Sequence, residues 1–345
     1  MAGRQLEFWN APVLKDRELT AMRQSNAEWD FMGRTFLALA LCEMCERDAT
    51  LKSDYLPVVD KIIDETISLE NECGMHFFLM SYSRTRPYRV QPERSLFLDG
   101  EIALMLAARR MVEEKPAYKE PMTARLKIME ERLRSGASMA VESYPDECWI
   151  FDHSIALAAI RLGDFLDGAD HTTLFRDWSR TARSRLVHKE SGLLVSAYDT
   201  NNVWMEGPEG SSIWAAVHFI RLFDPALAAE QYTLARRQLG RTLLGFGWSR
   251  EWPATWRNHV DIDSGVVIPV VDAGAAASGL ALIASASFAD SEYLRSLRAS
   301  LNFAAFPVRK NGSLRYCASN AVGDAAMLYA MTLGTLWEKV NRPHL

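Results

Sequence analysis

The stretch from residue 144 to residue 153, YPDECWIFDH, concentrates side chains suited to acid–base chemistry. A carboxyl group among aromatic rings is desolvated, which raises its pKa and favours general-acid catalysis. The pattern therefore predicts that Asp152 is an acid, with the alternative that Asp152 only caps the following helix and His153 only packs. The candidate catalytic residues here are Glu147, Cys148, Asp152 and His153, and the candidate substrate contacts are Tyr144, Trp149 and Phe151.

A second pair of acids stands in the sequence Asp261-Ile-Asp263-Ser264, just before the most apolar part of the chain. Paired carboxylates can divide acid and base roles or share one proton. Asp263 is therefore a candidate catalytic residue and Asp261 a candidate substrate contact. The alternative is that Asp263 is only a helix cap.

A glycine-proline loop, EGPEGSS (206–212), precedes a predicted helix that contains Trp214. Free N–H groups at such a helix start can hold an anion, which makes Glu209 and Trp214 candidate substrate contacts. The spacing matches neither a P-loop nor a dinucleotide fingerprint, so an ordinary tight turn explains the loop better.

The cysteines resemble a zinc pattern only in their spacing. Cys42-x-x-Cys45 and Cys73-x-x-His76 have ligand-like intervals, but Cys42 and Cys45 lie late in an apolar helix, not on tight turns. We therefore interpret them as packing residues and expect neither a metal nor an organic cofactor. Five cysteines are an odd number, which excludes a complete disulfide framework and fits a reducing compartment.

Composition narrows the class of protein. The 345 residues are 48% hydrophobic and 24% charged, with a formal net charge of −5, which argues against nucleic-acid binding and against a polybasic membrane surface. No signal peptide is visible, so we expect a soluble cytoplasmic protein. The apolar segment 265–289 could span a bilayer by length, but Pro269 and Asp272 indicate a buried core helix and no stable membrane insertion.

Helical periodicity covers most of the chain, and residues 193–198 are the one predicted strand. Helices that are apolar on all sides alternate with amphipathic ones. A helix that is apolar all round must be buried, and an amphipathic one lies outside it, so the pattern predicts an all-α (α/α)6 barrel. The predicted helices are 27–48, 51–70, 95–114, 121–138, 150–166, 170–187, 209–222, 225–239, 265–287, 290–302 and 318–337.

The barrel would bring the polar segments together. No linker divides the chain, so we predict a single domain over residues 1–345, with residues 1–25 as a polar N-terminal arm. Inner helices of such a ring are parallel, so the polar segments before them meet at one end and line a pocket. Those segments are 99–101, 144–153, 206–212, 261–265 and 320–324.

Five stretches resemble the linalool dehydratase-isomerase family, which has an (α/α)6 fold. They are EWDFMGRTFLALAL (28–41), FLDGEIALMLAARR (97–110), YPDECWIFDHSIALAAIRLGD (144–164), GPEGSSIWAAVHFIRLFDP (207–225) and DIDSGVVIP (261–269). The resemblance implies cofactor-free dehydration, hydration or isomerisation of a terpene alcohol, in a ring-shaped homo-oligomer. It also implies roles for Asp30, Glu101 and the segment 144–153.

The chain departs from that family in the segment 144–153. The family is associated with two cysteines there, whereas this chain has only Cys148, and Asp152 stands where a thiol is expected. The difference favours carboxylate chemistry and permits a larger isoprenoid that is cyclised after protonation.

The resulting hypothesis is an acid–base lyase or isomerase that acts on an isoprenoid. Two alternatives stay open: a carbohydrate-active (α/α)6 hydrolase or lyase, which also uses paired acids and aromatic platforms, and a non-catalytic helical scaffold. We expect a homo-oligomer in which the N-terminal arm reaches a neighbouring copy.

Overall fold

The computed structural model describes residues 1–257, 266–310 and 312–341. Its α-helices are Ala2–Trp9 (α1), Pro12–Ser25 (α2), Ala27–Arg47 (α3), Lys52–Cys73 (α4), Leu96–Val112 (α5), Lys119–Arg134 (α6), Ile150–Asp167 (α7), Thr172–Arg185 (α8), Gly210–Ile220 (α9), Pro225–Gln238 (α10), Ala275–Ser287 (α11), Ser291–Ala304 (α12), Ala321–Thr332 (α13) and Thr335–Asn341 (α14). Its short strands are Cys148–Trp149 (β1), Ala197–Tyr198 (β2), Trp204–Glu206 (β3), Gly240–Leu243 (β4), Phe246–Ser249 (β5), Val267–Ile268 (β6), Ala273–Gly274 (β7), Pro307–Lys310 (β8) and Ser313–Tyr316 (β9).

Six helices form a closed inner ring. Each of α3, α5, α7, α9 and α11 packs against the next in this series, and α13 returns to pack against α3. Helices α4, α6, α10 and α12 pack outside the ring on their inner neighbours. The predicted all-α (α/α)6 fold is therefore confirmed.

Small residues allow the inner helices to approach closely. A Cβ atom placed on Gly100 of α5 would lie 3.3 Å from the Cα atom of Ala156 on α7, and one on Gly33 of α3 would lie 3.4 Å from the Cα atom of Val322 on α13. All residues of α5 and of α9 are buried. The apolar, small-residue composition of these segments thus dictates their place inside the ring.

Two of the outer helices, α10 and α12, begin at side-chain caps. The Asp224 carboxylate accepts the backbone N–H of Leu227 at the start of α10, and the Asp290 carboxylate accepts that of Tyr293 at the start of α12. Such caps satisfy N–H groups that have no partner within the helix. The caps formed by Asp224 and Asp290 therefore set the first residues of α10 and α12.

The long connections lie at the end of the ring where the inner helices begin, which we call the mouth. All nine strands of the described residues lie in these connections and form small antiparallel sheets, β1-β2-β3, β4-β5, β6-β7 and β8-β9. The prediction of one strand at 193–198 was therefore incomplete. The predicted helix 265–287 was also too long, since α11 starts only at Ala275, after the β6-β7 hairpin.

The N-terminal segment is not an extended arm. Residues 1–25 form α1 and α2, which pack on their own chain through the buried ring of Trp9. The Lys61 Nζ atom of α4 donates to the Trp9 backbone oxygen at 2.6 Å, and the Lys15 ammonium lies 5.1 Å from the Trp9 ring centroid. The contacts of this segment described here lie within one chain, and the expectation that it also reaches a neighbouring copy stays a prediction.

Across the described residues, no helix combines the length and the apolar character that crossing a bilayer requires.

Candidate functional site at the mouth of the ring

Four carboxyl groups meet where three neighbouring inner helices begin. Glu28 lies in the first turn of α3, Glu101 near the start of α5 and Asp152 in the first turn of α7, while Glu147 precedes β1. Glu28 and Asp152 both interact electrostatically with Glu101, and Glu28 and Glu147 both interact with Asp152. We call this group the acid cluster.

Asp152 lies at the floor of the acid cluster and is only 5% exposed. Burial raises the pKa of its carboxyl well above the usual value, and the negative charges of Glu28 and Glu147 raise it further. The hydroxyl of Ser143 opposes this shift. These effects favour the protonated form of Asp152, which is the form that a general acid requires.

Glu101 is the second buried carboxyl group of the cluster. The Thr35 hydroxyl of α3 donates to its Oε2 atom at 2.5 Å. Burial raises the pKa of Glu101 well above its usual value, and Asp152 and Glu28 add to the shift against the effect of Thr35. The protonated form is therefore favoured for both Glu101 and Asp152, which are more buried than Glu28 and Glu147.

Two stacked tyrosines hold the half-buried carboxylates. The rings of Tyr82 and Tyr144 lie with their centroids 4.6 Å apart. The Tyr144 hydroxyl donates to Glu28 and accepts the backbone N–H of Met80 at 3.1 Å. The Tyr82 hydroxyl donates to Oε1 of Glu147 at 3.2 Å.

Trp149 completes the environment of Glu147. Its Nε1–H donates to the same Oε1 atom of Glu147 at 2.6 Å. Two donors on one oxygen suit an ionised carboxylate, which only accepts hydrogen bonds. Trp149 and Tyr82 are half-buried beside Glu147, whereas the half-buried ring of Phe151 lies near Phe219 of α9.

His153 is held as a neutral core residue. Its Nδ1–H donates to the Trp149 backbone oxygen at 2.8 Å, and its Nε2 accepts the backbone N–H of Val141 at 3.0 Å. Burial lowers the pKa of His153 to about 4. Both ring nitrogens are thus occupied by backbone groups, so the geometry leaves His153 no position from which to transfer a proton.

Cys148 is a buried thiol on β1, opposite Tyr198 of β2. Burial raises the pKa of Cys148 well above its usual value, so the thiolate that nucleophilic catalysis needs is disfavoured. Of the predicted catalytic residues in this segment, the geometry therefore leaves Asp152 and Glu147 as the groups placed for acid–base chemistry.

Asp30 lies on α3, outside the acid cluster, and is fully buried between two arginines. Arg23 Nη1 donates to it at 2.5 Å and Arg34 Nε at 2.8 Å. A carboxylate neutralised on both sides anchors α2 to α3. Its predicted catalytic role has no support in this arrangement.

A separate group of acids surrounds the start of α9. The carboxyl groups of Glu206 and Glu209 share a hydrogen bond. Burial raises the pKa of Glu209 well above its usual value, and the nearby carboxyl groups of Glu206 and Glu251 raise it further. Glu251 Oε1 accepts the backbone N–H of Ser211 at 2.9 Å. Glu209 is thus at the mouth, as predicted, but on the part of the ring built by α9.

Trp214 is covered by other side chains and by β5. It is fully buried, its Nε1–H donates to the Ser249 hydroxyl at 2.7 Å, and its ring contacts Tyr232 of α10 and Tyr293 of α12. The prediction that it contacts substrate is corrected, because these partners lie on the outer side of α9.

The predicted pair Asp261 and Asp263 lies outside the described residues. In the described part of the chain, no group of three or more His, Cys, Asp or Glu side chains has the arrangement of a metal site. Cys42 and Cys45 are buried in α3, whereas Cys73 is exposed at the end of α4.

A cavity of about 560 Å³ opens at the opposite end of the ring, near the last turn of α7. Its arginines are already engaged: Arg180 pairs with Asp177, Arg183 with Glu230, and Arg161 with the Val340 backbone oxygen. The acid cluster at the mouth, not this cavity, therefore holds the groups suited to chemistry.

Glu28 and Tyr82 were not among the site residues predicted from the sequence. Their partners, Tyr144 for Glu28 and Glu147 for Tyr82, are 116 and 65 residues away in the sequence. The one available signal was that Glu28 stands at the start of an apolar helix, like Asp152.

Comparison with known proteins supports the fold. No family model matches the chain, and no curated protein matches its sequence. A GH76 α-mannanase from Bacteroides thetaiotaomicron is similar in structure, with a TM-score of 0.55 and 10% identity over 90% of this chain and 87% of that one. A family 105 glycoside hydrolase from C. acetobutylicum has a TM-score of 0.50 and 13% identity over 96% of this chain and 99% of that one.

These comparisons correct the expectation drawn from the five stretches. The resemblance to the linalool dehydratase-isomerase family was wrong, as were the terpene substrate and the lyase or isomerase activity derived from it, because the structural neighbours are glycoside hydrolases. At 10% and 13% identity, what these neighbours share with this chain is the helical barrel fold.

Proposed function

We propose that this chain is a carbohydrate-active enzyme that hydrolyses a glycosidic bond at the mouth of the ring. The observation that carries the proposal is the position of Asp152, a buried carboxyl group with a raised pKa, beside the half-buried carboxylate Glu147. Glycoside hydrolases act with two carboxyl groups on either side of the scissile bond, one as a proton donor.

The two carboxyl groups have different environments, which separates their roles. Asp152 gives its proton to the glycosidic oxygen while the bond from that oxygen to the sugar carbon breaks. Glu147, held by Tyr82 and Trp149, takes a proton from the water molecule that adds to the sugar carbon. The proton then returns from Glu147 to Asp152 through solvent, and the site is restored.

Two further features support a carbohydrate substrate. The half-buried rings of Tyr82 and Trp149 lie beside Glu147 of the acid cluster and offer apolar faces against which a sugar ring packs. The two structural neighbours, an α-mannanase and a family 105 glycoside hydrolase, use a barrel of this kind for glycoside hydrolysis.

The test is a screen of the full chain against α-mannan and a panel of neutral and acidic polysaccharides, with release of reducing ends as the measurement. Asp152→Asn should lower turnover about a hundred- to ten-thousand-fold, since it keeps the size of the side chain and removes the proton. Asp164→Asn is the matched control, because Asp164 is a buried acid at the other end of α7, bonded to His171. Release of reducing ends by Asp152→Asn at the wild-type rate would contradict the proposal, as would absence of release by the wild type.

A further inference from the structure

We propose that the chain forms a two-fold symmetric dimer through an apolar surface beside the mouth. This surface, the apolar rim, lies on the β4-β5 hairpin, the end of α12 and β8. Its members are Leu243, Leu244, Phe246, Phe303, Phe306 and Val308, all of them exposed.

Three residues of the apolar rim are in contact with one another. Leu243 and Phe246 are paired across the hairpin, and the rings of Phe246 and Phe303 lie with their centroids 5.5 Å apart. Phe306 and Val308 continue from the end of α12 onto β8. Ile268 and Val270 are also exposed. Their segment is joined to β5, because the Trp248 Nε1–H donates to the Val271 backbone oxygen at 2.9 Å.

Two of the rim residues lie at backbone positions that disfavour a large side chain. Leu244 and Gly245 join β4 to β5 with φ values of 51° and 84°, a conformation for which Asn-Gly is the favoured pair. Phe306 has a φ of 48°. Positive φ is energetically unfavourable for a residue other than glycine. Leu244 and Phe306 nevertheless adopt it, although they are 89% and 67% exposed.

The exposed area matches what a dimer buries. At roughly 200 Å² for a fully exposed large apolar residue, the six rim residues present about 700 Å² to solvent. The largest apolar patch of a typical monomer covers about 300–600 Å². A stable interface buries about 800 Å² on each partner, so the rim with its immediate surroundings reaches that size.

A second copy is the occupant that fits an apolar surface of this composition. In a two-fold dimer each copy supplies the same surface, so the two surfaces must be complementary to themselves. Apolar side chains meet this condition, whereas a charged surface would face its own charge.

Sedimentation velocity and light scattering of the full chain at micromolar concentration test the proposal. The wild type should have twice the chain mass. Leu244→Asn and Phe306→Asn should each shift the protein to the monomer while keeping or raising its thermal stability in the monomeric state, because Asn tolerates positive φ better. The matched control is Val13→Asn on α2, which removes an 86% exposed valine outside the rim and should leave the dimer intact.

A monomeric wild type would overturn the proposal, and so would rim variants that remain dimeric or a control that dissociates equally. The measurement needs no substrate, so its outcome is independent of the proposed glycosidase activity.

Discussion

Gly100 of α5 and Ala156 of α7 touch so closely that a Cβ atom on the glycine would lie 3.3 Å from both the Cα and the backbone nitrogen of the alanine. The contact brings the starts of the two helices together. Glu101 follows Gly100 directly, and Asp152 lies one turn before Ala156, so this approach places the two buried carboxyl groups of the acid cluster side by side.

Replacing Gly100 with alanine should therefore destabilise the protein by about 1–3 kcal/mol, since the obstructing atoms are backbone and the two helices must separate. Gly279→Ala on α11 is the control, because no atom lies within 4 Å of the added carbon there, and alanine in a helix gains up to about 1 kcal/mol over glycine. Urea unfolding measures both variants. Equal stability changes would contradict the close packing of α5 on α7.

Asp152→Asn should change how stability depends on pH. In the unfolded chain an aspartate releases its proton near pH 3.9, whereas folded Asp152 keeps it to a much higher pH. Over that interval the folded state binds more protons, so the free energy of unfolding of the wild type falls as pH rises, by about 1.4 kcal/mol per pH unit relative to the variant. Urea unfolding between about pH 4 and pH 7 measures the difference.

Asp167→Asn provides a control of opposite sign. Hydrogen bonding to Arg110 lowers the pKa of Asp167, with Lys119 adding to the effect against partial burial. Ionised Asp167 therefore adds to the free energy of unfolding at pH values above its unfolded pKa. This stabilisation is lost as pH falls through the folded pKa of Asp167. The variant should be less stable than the wild type at neutral pH and approach it in acid.

A wild type that gains stability with rising pH relative to Asp152→Asn would show that Asp152 is ionised.

The histidines His153 and His171 should titrate far apart. Burial lowers the pKa of His153 to about 4, whereas Asp164 and Glu130 outweigh burial at His171 and raise its pKa above 6.5. Nitrogen-15 NMR of the imidazole rings during a pH titration measures both. A value for His153 near that of a free imidazole would restore it as a candidate acid or base.

Tyr82→Phe should lower turnover on the substrate identified in the screen, because Glu147 loses the hydrogen bond from the Tyr82 hydroxyl while the stack on Tyr144 is kept. A hydrogen bond to a charged group contributes about 1.5–3 kcal/mol, which corresponds to roughly ten- to a hundredfold in rate if it acts in the transition state. Tyr88→Phe is the control, since the Tyr88 hydroxyl donates to the Ser143 backbone oxygen. Steady-state kinetics measures the turnover of both variants. Equal losses of turnover in Tyr82→Phe and Tyr88→Phe would indicate a structural cause.

The sequence by itself determined the ring. Segments that are apolar on all sides, such as those of α5 and α9, can only be buried, and their alternation with amphipathic helices is a local property of the chain. The candidate acid Asp152 was also readable locally, since its aromatic neighbours Trp149 and Phe151 lie within three residues of it. The five stretches that suggested a terpene enzyme misled because short apolar helices with polar starts are what any such ring requires.

Only the tertiary structure decided which polar groups share the site. Glu28 meets Asp152 and Tyr144 because α3 and α7 begin at the same end of a closed ring, a relation that no local pattern contains. Packing likewise turned Trp214 outward between α10 and α12 and bonded both nitrogens of His153 to backbone groups. The burial that raises the pKa of Asp152 is a sum over neighbouring helices that are far apart in the sequence, so it exists only once the ring has closed.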